Sequence, residues 1–446
     1  MEDVKGKVYF ETYGCQMNFS DTELVAGILA KDHYEVVTDI NDADLIFINT
    51  CSIRENAEQR VFSRLKHLRG MKRRKGKELV VGVMGCMAER LKTNLIEKEK
   101  LVDVVVGPDA YRDVPRLIQM AKLGEKGINT LLSLDETYEN ITPLRTEGIS
   151  AWLTVMRGCD NFCTFCVVPF TRGRERSRPV ESIVKEVELL SAEGRTKEIT
   201  LLGQNVNSYS DSGKQFGALL EAVAAVDRSI RIRFATSHPK DFSDDVLLAI
   251  RDNENLCKYI HIPFQAGSTK VLADMNRTYT REEYLALIDH MKTMIPGVSL
   301  STDVMVGFPG ETEADFEDTL DIMRQVKFDT AFMFKYSPRE GTKAFKMGDN
   351  VPDEVKTDRL NRLIEVQERI SFENNQKRIG NIETILIEGP APRGVNFFRG
   401  KTDSNVACVF QAEPGMKPGD LVKVRIISGT GHTLKADVLK DEPVSL

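Results

Sequence analysis

Cys159, Cys163 and Cys166 lie in RGCDNFCTFCVVPF, a CxxxCxxC spacing that follows the strand-like run Trp152 to Met156. Three thiolates this close can hold three irons of a cubane iron–sulfur cluster. No fourth cysteine is near in sequence, so one iron stays open to an exchangeable ligand, which separates a catalytic cluster from the four-thiolate electron carriers. A structural zinc site is one alternative, but it wants four closed ligands and the nearest histidine, His238, is remote. Buried structural thiols are the other.

A second triad is spread out but regular. Cys15 ends VYFETYGC, Cys51 ends LIFINTC and Cys86 ends LVVGVMGC, at separations of 36 and 35 residues, the length of one strand–helix unit. Ser20 and Glu23 give a capping-box pattern before LVAGILA, and Glu55 to Leu68 carries apolar residues at helical spacing. Strands alternating with helices predict a parallel sheet whose carboxyl ends share one edge, the edge where open α/β sheets bind ligands. The three cysteines are expected to converge there on a second cluster with a free iron, able to carry added sulfur; functionless strand-end thiols are the alternative. Cys257 and Cys408 fit neither triad and are assigned to core packing.

From Trp152 to Tyr336 the chain repeats a strand and a helix about six times. The strand candidates are WLTVMRG, EITLLGQ, IRIRFATS, YIHIPFQ, VSLSTDVMVG and DTAFMFKYS, with amphipathic runs such as Val180 to Leu190 and Arg281 to Met294 between them. Eight units close a barrel, so a partial, open (β/α)6 barrel is expected, with its active face at the carboxyl ends of the strands. Gln204, Asn205, Ser237, His238, Gln265 and Asp303 stand at those ends. Each is a candidate for cofactor or substrate contact and equally for a satisfied polar residue or helix cap; His238, before Pro239, suits a turn as well as a general base. Val351 to Arg378 reads as a long charged helix. From Ile379, short alternating stretches (IETILIEG, ACVFQA, DLVKVRIISG, HTLKADVL) predict a small β-barrel of about 65 residues. Phe397, Phe398, Arg399 and Lys401 of NFFRGKTDSN are candidates for single-stranded RNA, an ordinary hairpin with core aromatics being the competing reading.

A chain of 446 residues, 41% hydrophobic and 29% charged, is globular and long enough for two or three domains. MEDVKGKVYF shows no secretory pattern, and the longest apolar run, Leu79 to Ala88, is too short to span a membrane, so a cytoplasmic protein is expected. Reducing compartments disfavour reading the eight cysteines as disulfides. With a net charge of −6, contact with nucleic acid has to come from local patches. One is Arg64 to Lys77, RLKHLRGMKRRKGK, which has no acidic residue; a solvated helix end is the other reading of it.

The CxxxCxxC segment, with Phe165 before its last cysteine, resembles the signature of the radical S-adenosylmethionine superfamily. YGCQMN, CTFCVVPFTRGRERSRP, LLGQNVNSY, TSHPKDF, HIPFQAGSTKVLADMNRTYTREEY and STDVMVGFPGETEADFEDTL resemble the methylthiotransferases, most closely their MiaB branch. The resemblance implies an α/β chain of three domains: an amino-terminal cluster domain over 1–123, a radical S-adenosylmethionine core over 145–375, and an OB-like TRAM barrel over 378–441, which FRGKTDSN and PGDLVKVRI resemble. It also implies two 4Fe-4S clusters, an auxiliary one on Cys15, Cys51 and Cys86 and a catalytic one on Cys159, Cys163 and Cys166. The implied reaction is methylthiolation of carbon 2 of an isopentenyl-modified adenosine beside the anticodon. One S-adenosylmethionine donates a methyl group to sulfur on the auxiliary cluster, and a second is cleaved to the radical that removes hydrogen from the base. Phe165, Gly203, Gln204, Asn205, Ser237, Gln265 and Asp303 become the expected S-adenosylmethionine contacts, Gly203-Gln204-Asn205 replacing the wider superfamily's glycine–glycine–glutamate. Implied partners are the anticodon stem-loop of tRNA, an electron donor such as flavodoxin or ferredoxin, and a sulfur or cluster donor protein. Arg172, Arg174, Arg176 and Arg178 are either phosphate contacts or a salt-bridged loop. The competing functions are the same chemistry on threonylcarbamoyladenosine or a ribosomal-protein aspartate, and a non-catalytic metal-binding RNA adaptor.

Overall fold

The computed structural model describes residues 4–51, 55–75, 79–145 and 148–439. Gly76 and Lys77 of the basic run, and residues 440–441 of the expected third domain, lie outside them. The first unit is a six-stranded parallel sheet: β1 (Gly6–Tyr13), β2 (Tyr34–Val36), β3 (Leu45–Thr50), β4 (Val80–Met84), β5 (Val104–Val106) and β6 (Gly127–Asn129), in the order β2-β1-β3-β4-β5-β6. The central runs LIFINT and VVGVM are buried throughout, as strands covered on both faces must be. One apolar core, around Phe47, Leu29 and Tyr111, lies on one face of the sheet and a second, around Ile48, Leu65 and Met87, on the other. The sheet runs on to β6, past the expected limit at residue 123, because Gly127 to Asn129 still pairs with β5.

Three helices set the cysteine edge: α1 (Gln16–Lys31), α2 (Glu55–Lys75) and α3 (Cys86–Leu91). The expected capping box of Ser20 and Glu23 does not form, since Cys15 is the N-cap and Ser20 sits inside α1. Both side chains instead reach the next domain: the Ser20 hydroxyl lies 2.9 Å from that of Thr154, and Arg145 Nε donates to Glu23 at 3.2 Å. A helix whose first turns pack against a neighbouring domain puts its polar residues to use there, which a local cap pattern cannot foresee.

The second unit is the partial barrel. Its strands are β7 (Ser150–Thr154), β8 (Glu198–Leu202), β9 (Arg231–Ala235), β10 (Tyr259–His261), β11 (Ser299–Val306) and β12 (Thr330–Lys335). They pair in parallel as two three-stranded sheets, β9-β8-β7 and β10-β11-β12; a single bridge, Ile232 to Leu256, leads from β9 toward β10. Helices such as α4 (Val180–Ala192) and α5 (Arg281–Met294) cover the outside, the latter started by a true capping box of Thr280 and Glu283. Helix α6 (Asp353–Lys377) leads to five further strands, β13 (Ile382–Pro390), β14 (Phe397–Lys401), β15 (Ala407–Gln411), β16 (Leu421–Gly429) and β17 (Thr433–Val438), which close into a barrel. Cys408 is buried in that barrel's core, and Cys257 is buried beside Arg233.

The last barrel docks through the turn after β14. Arg233 on β9 donates to the carbonyls of Thr402 and Asp403 at 2.8 Å each and to the Glu198 carboxylate at 2.8 Å, and Arg231 donates to the carbonyls of Lys401 and Thr384 at 3.1 and 2.8 Å. Hydrogen bonds from a charged donor are each worth about 1.5 kcal/mol or more. Arg233→Ala is therefore expected to raise amide exchange over residues 399–408 by about tenfold or more while exchange in β1 to β5 stays unchanged, as read by mass spectrometry. Of the four residues expected to meet RNA here, Phe398 packs on the barrel core, Phe397 is half-buried, Lys401 pairs with Glu388 at 3.2 Å, and Arg399 alone is freely exposed.

Candidate active site

Cys15, Cys51 and Cys86 follow β1, β3 and β4, which are adjacent in the sheet. Two glycines let their tips close up. Gly14 has φ +131° and a Cβ there would come within 2.7 Å of the Cys51 Cβ, while Gly85 has φ +88° and a Cβ would meet the Asn49 side-chain oxygen at 2.3 Å. An L side chain at Gly14 would push against Cys51, and one at Gly85 against Asn49, which ties the tips together. An asparagine pair ties the tips together: Asn18 Nδ2 donates to Asn49 Oδ1 at 2.9 Å, Asn49 Nδ2 donates to the Asn18 carbonyl at 2.7 Å, and the Cys15 thiol donates to Asn18 Oδ1 at 3.2 Å. A hydrogen bond from Cys51, and Arg172's charge working against partial desolvation, bring the Cys15 thiol down to about 6. Burial pushes Cys86 up, against the charge of Arg172, whose Nε donates to its sulfur at 3.2 Å.

Arg172 belongs to the barrel domain, and it joins the two triads. Its Nη2 donates to Asp21 of α1 at 2.7 Å, and Arg157, two residues before Cys159, donates to the other Asp21 oxygen at 2.8 Å. Tyr111 completes the set by donating to Asp21 at 3.1 Å. Arg176 makes a parallel bridge to Asp109 at 2.8 and 2.9 Å, and Arg178 pairs with Glu186 at 2.8 Å. Three of the four arginines expected either at phosphate or in a salt-bridged loop are thus buried in ion pairs, and the exposed Arg174 pairs with Asp160 at 2.7 Å.

The barrel triad occupies the loop after β7. Arg277 donates to the Cys163 sulfur at 3.5 Å and the Val168 N–H to that of Cys166 at 3.4 Å. Burial pushes Cys159 up to about 11 and Cys166 up to about 12, so iron has to displace their protons on binding. Above the loop stand the strand-end polar groups. Gln204 accepts from the Gly158 N–H at 2.6 Å, Asn205 donates to Asp241 at 2.7 Å, and Gly203 is so close to Met156 that a Cβ would lie 2.6 Å from it. Yet Gln204 Nε2, Asn205 Oδ1, Ser237 Oγ and His238 Nε2 are all buried without a hydrogen-bond partner among the described residues. Orphaned polar atoms gathered at one barrel mouth fit a polar cofactor that would satisfy them. His238 is a turn residue: its Nδ1 accepts from the Lys240 N–H at 3.3 Å, and burial, then the charges of Arg277 and Lys240, hold it neutral, down to about 2.

Phe165 packs edge-on to Phe308 at 6.4 Å, and Gln265 sits in the left-handed region, φ +67°, its N–H donating to the Asp303 carbonyl at 3.0 Å. Sequence reasoning missed Arg277, the asparagine pair, and the constellation beside Asp303. There the His261 Nε2 is 3.6 Å from Asp303, its Nδ1 is 2.8 Å from the Ser301 hydroxyl, and its ring is 5.9 Å from that of Phe332. A signal for the last was available: Thr330, Phe332 and Phe334 alternate to one exposed face of β12, where aromatics on a barrel wall ask for a reason. Among the described residues no three of His, Cys, Asp and Glu stand at the spacing of a single metal ion. A cube takes each thiolate on a different iron, so its ligands stand further apart than those of one ion.

The chain matches three family descriptions in order: the Uncharacterized protein family UPF0004 over residues 7–107, the Radical SAM superfamily over 153–323 and the TRAM domain over 376–439. Among solved structures it resembles the radical S-adenosylmethionine methyltransferase TsrM of Kitasatospora setae, with a TM-score of 0.57 and 14% identity over 76% of this chain and 74% of that one, a likeness of fold. It is 50% identical over 438 residues, 98% of this chain and 96% of the other, to the tRNA-2-methylthio-N(6)-dimethylallyladenosine synthase of Chloroherpeton thalassium. The synthase of the same description from Parabacteroides distasonis is 47% identical, covering 98% of this chain and 96% of its own. The mitochondrial tRNA methylthiotransferase CDK5RAP1 of Homo sapiens is 43% identical, covering 97% and 81%. The chain belongs to the tRNA methylthiotransferase family of radical S-adenosylmethionine enzymes. No helix among the described residues is long and apolar enough to cross a membrane.

Proposed function

We propose that this chain methylthiolates carbon 2 of an isopentenyl-modified adenosine next to the anticodon of tRNA. The observation that carries the reading is the buried Asp21–Arg172–Cys86 chain of contacts, which holds one cysteine triad against the domain of the other. Cys159, Cys163 and Cys166 would hold the catalytic 4Fe-4S cluster, and Cys15, Cys51 and Cys86 the auxiliary one. Together with S-adenosylmethionine these groups supply the methyl group, the sulfur and the carbon-centred radical.

The chain's own residues bind, orient and exclude. Gln204, Asn205 and Ser237 offer donors and acceptors to S-adenosylmethionine at the barrel mouth, with Phe165, Gly203, Gln265 and Asp303 around them. Neutral His238 withholds a positive charge there. Arg277 and Arg172 each turn an N–H toward a cysteine sulfur, Cys163 and Cys86, and so orient those ligands. Arginines clamped by Asp21 and Asp109 close the gap between the domains to water. A base from an anticodon loop is already unstacked, so drawing it between the two sites costs little. Reduction by a flavodoxin or ferredoxin, sulfur from a donor protein and a cytoplasmic setting complete the reading. Mass spectrometry of tRNA nucleosides from a deletion strain tests it: the 2-methylthio derivative should vanish and its isopentenyl precursor accumulate, and an unchanged nucleoside profile would refute it.

A further inference from the structure

Helix α2 carries a row of exposed basic residues. Arg64, Arg69 and Lys72 are neutralised from the sheet domain by Glu11, Glu99 and Asp103. Arg60, Lys66, His67, Arg73 and Arg74 are exposed and have no ion-pair or hydrogen-bond partner among the residues whose side chains are described, which exclude 55–58 and 75. Arg60, His67 and Arg74 recur every seventh residue and so share one face of the helix, with Gly70 opening clear space between the last two. Residues seven apart stand about two turns from one another along the helix, so the stripe presents a linear array of basic side chains rather than a cluster, and on a chain of net charge −6 such a local patch is where a polyanion would be met.

The stripe begins beside β1, the strand that leads into Cys15. At its amino-terminal end α2 and β1 enclose a groove of about 580 Å³, lined by Tyr13, Gln59, Arg60, Ser63, Arg64 and His67. Tyr13 is two residues from Cys15, and its hydroxyl donates to Glu11 at 3.0 Å, which steadies the ring as a wall. An aromatic wall, amide, hydroxyl and imidazole groups and the exposed Arg60 guanidinium in a groove of that size match a nucleotide's base and phosphate.

We infer that this groove seats a nucleotide flanking the target adenosine, its base on Tyr13 and its phosphate on Arg60, and that the stripe through Arg74 follows the RNA backbone away from the auxiliary site. The inference rests on the tRNA reading above. An acidic redox partner is the other macromolecule a basic stripe can draw, but it has no use for a nucleotide-sized groove beside an aromatic ring.

The test uses anaerobically reconstituted full-length protein at matched iron content, with a synthetic anticodon stem-loop carrying isopentenyladenosine, and measures binding across a salt series. Losing two phosphate contacts in Arg60→Ala/Arg74→Ala should flatten the slope of log K against log salt by about 1.4 to 1.8. Arg60→Lys/Arg74→Lys should restore it. Tyr13→Leu should weaken binding about fivefold or more at an unchanged slope. An alanine variant with the wild-type slope overturns the inference, as does one that binds RNA normally but accepts electrons poorly from a flavodoxin. Wild-type protein that modifies the stem-loop beside such a variant leaves the tRNA reading standing, whereas wild-type protein with no affinity for the stem-loop removes both.

Discussion

Cys163→Ala is expected to yield no 5′-deoxyadenosine on reduction, while Cys15→Ala keeps that cleavage and loses methylthiolation entirely. The asymmetry follows from where the sulfurs stand. Cys163 shares one short loop with Cys159 and Cys166, so its loss leaves two ligands for a cube that needs three, a larger injury than the roughly 10–100-fold cost of removing a ligand's hydrogen-bond partner. Cys15 belongs to a separate sheet, and the barrel loop keeps its own contacts from Arg277 and the Val168 N–H when that thiol is gone. Chromatography of the nucleoside products together with an iron and sulfide count on each variant reads both effects. Cleavage lost in both variants would mean that the two triads do not act as separate sites.

Asp21→Ala should cost about 3–5 kcal/mol, the penalty for stripping the partner from a buried ion pair. Asp21 has no exposed surface and holds two guanidiniums, themselves almost fully buried, so the substitution strands both charges at the domain interface. Burial on its own would raise the Asp21 carboxyl, but the charges of Arg172 and Arg157 outweigh it and hold the group below the usual carboxylate range. A depressed carboxyl contributes stability that is complete above its ordinary value of about 3.9 and is lost as pH falls through the lower folded value. The clamp should therefore be at full strength near neutrality and fail only in strong acid. Chemical denaturation of wild type and Asp21→Ala at two pH values checks the sign: their difference should shrink as the pH drops below about 4.

Much of the site was legible in advance for local reasons. A CxxxCxxC run puts three thiolates within one loop whatever surrounds it, and strand–helix units of similar length bring Cys15, Cys51 and Cys86 to one sheet edge. The hairpin of β14 and β15 was harder, because an aromatic-basic stretch looks the same whether it faces RNA or a neighbouring domain. The structure turns Phe398 inward and spends the turn at Thr402 and Asp403 on Arg233.

Cysteine spacing and the period of the strands were determined by the sequence itself, because both depend on covalent separation and on side-chain patterns a few residues long. The fate of the charges was decided only by tertiary structure. Arg172 and Arg60 are the same residue type in equally basic stretches, yet the first is buried on an aspartate 151 positions earlier in the chain and the second faces solvent. A guanidinium's role depends on whether a carboxylate lies within a few ångströms, and folding alone sets that distance.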